Sequence, residues 1–492
     1  MPRHVAALAG YRHPGYVPGP SRAVPLANLH SADMKPASLL PPPPRTPIER
    51  LVSPFQRFAR TETAGGIVLI ACTAAAVAWA NSAWADAYHH LLETPITVGL
   101  GGKVAAYPLH RWINDGLMAV FFFLVGLEIK REVLAGELAS PRKAALPIAG
   151  ALGGMLVPAG IFALLNAGGP GAAGWGIPMA TDIAFAIGVL ALLGRRTPLA
   201  LKVFLTALAI VDDIGAVVVI ALFYTAGIAW GALAAGFGLL ALLGIANAMG
   251  VRRPVVYTLL GVVTWAAFLR SGIHATIAGV LVALTIPART RIDTGGFLRR
   301  GRTLLDAFED ACDDERGVLT NHAQEAAIHE MERTCEQAQA PLQRIEHALQ
   351  PWVAFGIIPL FALANAGVRL QGLGPALRSP VTLGVLLGLA LGKPLGITLF
   401  AWLAVKLRIA ALPSGTTWRA LHGVSWLGGI GFTMSLFITA LAFHGDGLVM
   451  ESKVGVFAAS IVAGLVGWLM LRDLPPTLAD RDEDQVSEEE TA

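Results

Sequence analysis

Residues 199–224 read LALKVFLTALAIVDDIGAVVVIALFY, an apolar run broken near its middle by two adjacent carboxylates, Asp212 and Asp213. A run of about 20 apolar residues matches the ~30 Å hydrocarbon core of a bilayer. Lipid offers no hydrogen bonds to the backbone, so a run of this kind is a helix. A transmembrane β-strand would be shorter and would alternate, which this stretch does not. Runs of the same character recur along the chain, Val381 to Val405 among them. Of the 492 residues, 54% are hydrophobic and only 14% charged, against roughly 25% charged in a soluble globular chain. The fold class implied is an all-α integral membrane protein with the lipid bilayer as its partner. The formal net charge of +3 is spread over loops and points to no nucleic acid. Cys72, Cys312 and Cys335 have no metal-ligand spacing and imply no disulfide framework.

Twelve spans are expected, near 64–80, 114–129, 144–166, 177–194, 199–224, 228–249, 255–269, 273–287, 352–367, 381–405, 423–443 and 453–471. The loops test the count, because Lys and Arg concentrate on the cytoplasmic side. Basic residues precede span one (Arg45, Arg50, Arg57, Arg60) and follow span two (Lys130, Arg131, Arg142, Lys143). They recur after span four (Arg195, Arg196), span six (Arg252, Arg253), span eight (Arg289, Arg291, Arg299, Arg300, Arg302) and span ten (Lys406, Arg408, Arg419). The opposite loops, 166–176, 225–229 and 444–452, have none. The alternation predicts an even span count with both termini in the cytoplasm.

Residues 1–54 are rich in proline and small residues, ending in Pro41–Pro44, and read as a disordered tail rather than a signal peptide; Met34 is an alternative start. Residues 473–492 read as an acidic cytoplasmic tail. Between them, 55–472 form the membrane domain, with an expanded cytoplasmic loop over 288–350 in which His322 to Gln339 reads as a helix stopped before Pro341. Thr94 to His110 holds two β-prone runs, Ile96–Leu100 and Val104–Leu109, around Gly101-Gly102, a hairpin signal. An exposed hairpin edge can pair with a second copy of itself, so this loop reads either as a plain connection or as the contact of a homodimer.

The informative residues are ionisable groups deep in the spans: Asp182 after Thr181 in the fourth, Asp212 and Asp213 in the fifth, Lys393 in the tenth. Each costs about 2.5–3.5 kcal/mol at a helix centre on insertion scales. Four left unpaired would cost on the order of 10 kcal/mol, comparable to the ~5–15 kcal/mol stability of a whole protein. They must be paired, hydrated or protonated, and such residues point to function. A Lys393–Asp182 pair has a purely structural reading too. Asp212 and Asp213 do not share it easily, since neighbours on a helix point about 100° apart; one can face a cavity while the other faces a counter-ion. Lys202, near the start of span five, is placed to snorkel to the interface.

The backbone is also expected to break twice, at Gly176, Pro178 and Thr181-Asp182 in span four and at Gly428-Gly429-Ile430-Gly431 in span eleven. Spans three to five and ten to twelve then form matching triplets, each with its broken helix in the middle position. Half-helix ends carry partial charges near ±0.5. Asp182 can offset the positive ends and Lys393 the negative ones.

Six motifs, in order, resemble the NhaA family of bacterial sodium/proton antiporters: FFFLVGLEIKRE (121–132), ATDIAFA (180–186), ALAIVDD (207–213), SGIHATIAG (271–279), LGKPLG (391–396) and GIGFTMS (429–435). The resemblance covers roughly residues 55 to 472. It implies an inner-membrane antiporter with inverted repeats and two discontinuous helices, a design of which this family is itself a standard instance. It implies Asp213 as the principal cation ligand, with Asp212 close by and Thr181 contributing. It implies a Lys393–Asp212 pair and a charge-balancing role for Asp182. It implies activation at alkaline pH, with matching cytoplasmic-rim positions Glu128, Arg131, Glu132, Glu346 and His347, and dimerisation through the 94–110 hairpin. No cofactor is implied beyond the transported sodium or lithium and protons. The chain departs from the pattern in its long proline-rich start, its expanded 288–345 loop, and Gln350 where the family often has His.

Hard cations such as sodium prefer oxygen ligands, and a buried carboxylate pair can hold either a cation or protons. Competition between them is exchange, and rocking of one bundle against the other would expose the site alternately. A cation channel or symporter would use the same acidic residues. An intramembrane aspartyl protease built on Asp182 and Asp213 lacks the expected Gly-x-Gly-Asp context and leaves Asp212 and Lys393 unexplained. No nucleotide-binding Gly-x-x-x-x-Gly-Lys-Ser/Thr segment exists, which argues against an ATP-driven pump.

Overall fold

The computed structural model of the chain describes residues 64–100, 103–193, 197–225, 227–312, 321–369 and 373–473. The expected tails, Arg195 and Arg196, and the Gly101-Gly102 turn lie outside the described residues. Helix α1 (Ala64–Ala80) turns through 112° into α2 (Ala85–Glu93). The expected hairpin follows as β1 (Pro95–Leu100) and β2 (Lys103–Pro108), antiparallel with Pro95 opposite Pro108 and Leu100 opposite Lys103. Then come α3 (Leu109–Ala135), α4 (Pro141–Leu165), a 3-10 segment over Ala172–Met179 leading into α5 (Ile183–Leu192), α6 (Leu199–Phe223), α7 (Trp230–Ala248), α8 (Pro254–Ser271) and α9 (Thr276–Thr285). After them lie α10 (Thr294–Asp310), α11 (His322–Ala338), α12 (Pro341–Asn365), α13 (Leu373–Leu377), α14 (Pro380–Lys406), α15 (Trp418–Leu427), α16 (Phe432–Ala442) and α17 (Asp446–Arg472).

Every expected span has a helix at its position, but the lengths differ. Among the described residues nine helices are long and apolar enough to cross a membrane, or up to eleven if each bent pair is one span. The eighth expected span is only the ten-residue α9, because the chain from Gly272 to Ala275 turns before the helix starts. The ninth is longer than expected: α12 runs unbroken from Pro341 through Asn365, so Glu346 and His347 stand on its extension and not in a loop. Proline fits at the first turn of a helix, where its missing N–H is not needed. The expected loop helix is present as α11, and α10, which packs against it, is a second one that the apolar pattern did not announce.

Both breaks occur where Gly and Pro remove helical preference. Gly171, Gly174, Gly176 and Pro178 leave only a 3-10 segment before Asp182 starts α5. Gly428 to Gly431 separate α15 from α16, which are bent by 48°. Helices α4 and α14, first members of the two triplets, cross at Gly153 and Gly396. A Cβ on either glycine would run into the carbonyl oxygen of the other. Helices in lipid associate by such close packing of small residues, because lipid supplies no hydrophobic drive between them. The crossing brings Lys393, three residues before Gly396, against the broken segments.

Candidate functional site

Four free helix ends meet where the two broken segments cross, and each is answered by a named group. Asp182 is the N-cap of α5: its Oδ1 accepts the Phe185 N–H at 3.0 Å. Its Oδ2 accepts the Thr433 N–H at 3.0 Å and the Thr433 hydroxyl at 2.6 Å, so the same carboxylate also caps α16. The Ser460 hydroxyl oxygen accepts the neighbouring Phe432 N–H at 3.3 Å. On the carbonyl side, the Lys393 ammonium donates to Met179 O, the last residue of the 3-10 segment. The Thr181 hydroxyl donates to Gly428 O at 2.8 Å, just past the end of α15. The strands of the crossing are tied by the Asp182 N–H to Ile430 O (2.7 Å) and the Ser435 hydroxyl to Ile177 O (2.8 Å). The Asp182 carboxyl therefore caps two helix N-termini, and the Lys393 amine meets a carbonyl at the end of the 3-10 segment.

The two carboxylates of α6 have different surroundings. Asp212 Oδ2 lies 2.5 Å from Lys393 Nζ, and neither side chain is exposed. Asp213 is 1% exposed, yet neither of its oxygens has a hydrogen-bond partner among the described residues; Asp212 Oδ1 has none either. Buried carboxylate oxygens normally find partners, since leaving one without costs about 1–3 kcal/mol or more. Asp213 lines a cavity of about 460 Å³, with Thr181, Asp182, Thr433 and Glu128 on its wall and Gln350 at its rim; Asp212 does not line it. The cavity thus reaches Asp213 and leaves the Asp212–Lys393 pair outside its wall.

The rim residues divide. Glu128 lines the cavity and lies within electrostatic reach of Arg131, Glu132 and Glu346. Arg131 is paired with Glu346 and stands 3.8 Å from Glu132, whose other oxygen accepts the Glu137 N–H at 3.0 Å. His347 is exposed, with Nδ1 2.8 Å from Gln343 O within its own helix. Sequence reasoning missed Ser435 and Ser460. A serine in an apolar helix is too common to signal a cap; Ser435 finds its partner through the crossing and Ser460 through the packing of α17 on α16. Lys130, read from sequence as a topology marker alone, donates to Leu284 O (2.7 Å) and to Ile286 O at the end of α9.

This geometry of crossed, broken helices around an aspartate pair coincides with a match of the Na+/H+ antiporter 1 family profile to residues 56–471. The chain belongs to the Na+/H+ antiporter 1 family. It is 55% identical over 426 residues to a protein of Koribacter versatilis named Na(+)/H(+) antiporter NhaA, covering 86% of this chain and 92% of that one. It is 52% identical over 429 residues to the NhaA of Oleidesulfovibrio alaskensis, with 87% and 95% covered. Against the NhaA of Acidithiobacillus ferrooxidans it is 51% identical over 426 residues, with 86% and 97% covered. The family is one of transporters rather than enzymes. The all-α fold with two discontinuous helices is that of an NhaA-type antiporter.

Proposed function

We propose that this chain exchanges sodium for protons, exporting sodium or lithium from the cytoplasm. The observation that carries the reading is Asp213. Both its oxygens are buried without a protein partner at the wall of a cavity, while Asp212 beside it is held by Lys393. In this reading Asp213 is the principal cation ligand. Thr181 spends its proton on Gly428 O and keeps its oxygen lone pairs for the cation. Sodium arriving through the cavity displaces protons from the carboxyl pair. Protons entering on the other side displace sodium. The Asp212–Lys393 pair adds proton sites beyond Asp213, which supports more than one proton per sodium and so electrogenic exchange.

The aspartyl-protease alternative loses its second carboxylate, because Asp182 is committed to capping α5 and α16. By the basic-loop alternation the cavity, with Glu128 and Gln350 at its outer part, opens to the cytoplasm, both termini are cytoplasmic, and the membrane is the bacterial inner membrane. The linked rim charges Glu128, Arg131, Glu132 and Glu346, with His347 nearby on α12, are where alkaline activation acts. The β1–β2 hairpin joins two copies into a homodimer.

The test is sodium-driven collapse of a preset pH gradient in everted vesicles, across pH ~6.5 to ~8.5, for the intact protein and Asp213→Asn. Intact protein that responds to sodium or lithium beside a silent variant is expected. Sodium flux without opposed proton movement would replace exchange with a channel or symporter.

A further inference from the structure

The 3-10 segment Ala172–Met179 is held at both ends, by Lys393 of α14 at one and by the last residue of the aspartate helix α6 at the other. At its inner end Met179 O meets Lys393, which is paired with Asp212 of α6. At its outer end it meets Tyr224, the residue that closes α6. The Tyr224 hydroxyl donates to Ala173 O at 2.8 Å and accepts the Gly176 N–H at 3.3 Å. These are the C=O and the N–H that a single 3-10 turn pairs, so one phenol bridges the two poles of that turn. The ring can come this close because residue 176 is glycine: a Cβ there would lie 2.8 Å from the Tyr224 oxygen and 3.4 Å from Val219. Trp175 and Phe223 add an edge-on ring contact at 4.9 Å beside the bridge. None of these groups touches Asp213, and none is needed to build the ends of the crossing.

We propose that Tyr224 is a positioning residue for exchange: its hydroxyl makes the 3-10 segment and α6 one rigid body, and so sets Thr181 and Asp182 against Asp213. A segment of eight residues with 3-10 geometry has poor hydrogen bonds of its own. Held only along its inner half, by Lys393 at Met179 O and Ser435 at Ile177 O, it could still shift at its outer half and strain the backbone that leads to Thr181. The second attachment at Tyr224 removes that freedom, so the cost of ordering the site is met before the cation arrives. The proposal rests on the exchange reading.

Tyr224→Phe keeps the ring and deletes the bridge. In vesicles its KM for sodium should rise about tenfold, the size of one to two net hydrogen bonds, with the maximal rate within about twofold of the intact protein. Gly176→Ala pushes the phenol away from the other side and should raise KM similarly. The two changes together should raise it no more than either alone, since both remove one contact. Backbone hydrogen exchange over residues 172–182 should speed up in Tyr224→Phe, a readout that requires no transport. An unchanged KM in either inserted variant, a lowered maximal rate at unchanged KM, or additive effects in the double variant would overturn the role. If the intact protein itself fails to exchange, the exchange reading falls, and the clamp is then judged by hydrogen exchange alone: unchanged protection over 172–182 in Tyr224→Phe overturns it.

Discussion

Replacing Lys393 with methionine keeps most of the side-chain volume and deletes the amine that joins Asp212 to the crossing. Two groups lose their partner at once: Asp212 Oδ2, which faces the ammonium at 2.5 Å, and Met179 O at the end of the 3-10 segment. Both residues of the pair have fully buried side chains, so water cannot take over. Breaking a buried ion pair by removing one partner costs about 3–5 kcal/mol, because a buried charge is left uncompensated. That is a large share of a typical ~5–15 kcal/mol stability. Removing both charges is a different perturbation. In Lys393→Met with Asp212→Asn no bare charge remains, and neutral replacement of a buried pair is often close to neutral in stability. Thermal unfolding of the purified protein in detergent is the assay. The single variant should melt well below the intact protein, and the double variant should recover at least half of the loss. A single variant as stable as the intact protein, or a double variant less stable than either single one, would refute the view that Lys393 is there to compensate Asp212.

Asp182→Ala should lose the caps of α5 and α16 together, a cost of about 2–4 kcal/mol from two caps and the stranded Thr433 hydroxyl. Asp182→Asn, with one carbonyl oxygen still able to accept, should retain part of it, read by the same melting experiment; equal losses in Asn and Ala would mean that charge, not capping, is what matters. Gly396→Ala should drive α4 and α14 apart at Gly153, costing about 1–3 kcal/mol as overpacking does and also lowering exchange by displacing Lys393. An alanine variant with unchanged melting would show that the glycine crossing is not a tight one.

Much of this molecule is legible along the chain. Runs such as 199–224 and 381–405 are helices because lipid leaves the backbone no alternative. Breaks fall at Gly176, Pro178 and Gly428–Gly431 because those residues are poor helix formers wherever they stand. The hairpin over 95–108 follows from two β-prone runs around a Gly pair. Asp182, Asp212, Asp213 and Lys393 stand out by cost alone, since no mid-membrane charge is tolerated without a reason. These are local matters of sterics, hydrogen bonding and transfer energy, set by a residue and its near neighbours. The division of labour between Asp212 and Asp213 is of another kind. The two differ by one step on a helix, and either could have faced the cavity. Asp212 is the paired one because Lys393, 181 residues further along, arrives on its side through the α4–α14 crossing. The same holds for Thr181 on Gly428 O, Ser435 on Ile177 O, Ser460 on Phe432 and Tyr224 on the 3-10 turn. A hydroxyl in an apolar helix is the same in sequence whether it bonds its own preceding turn or caps another helix. Which of these it does depends on what packs beside it, and that is settled by the contact of distant segments.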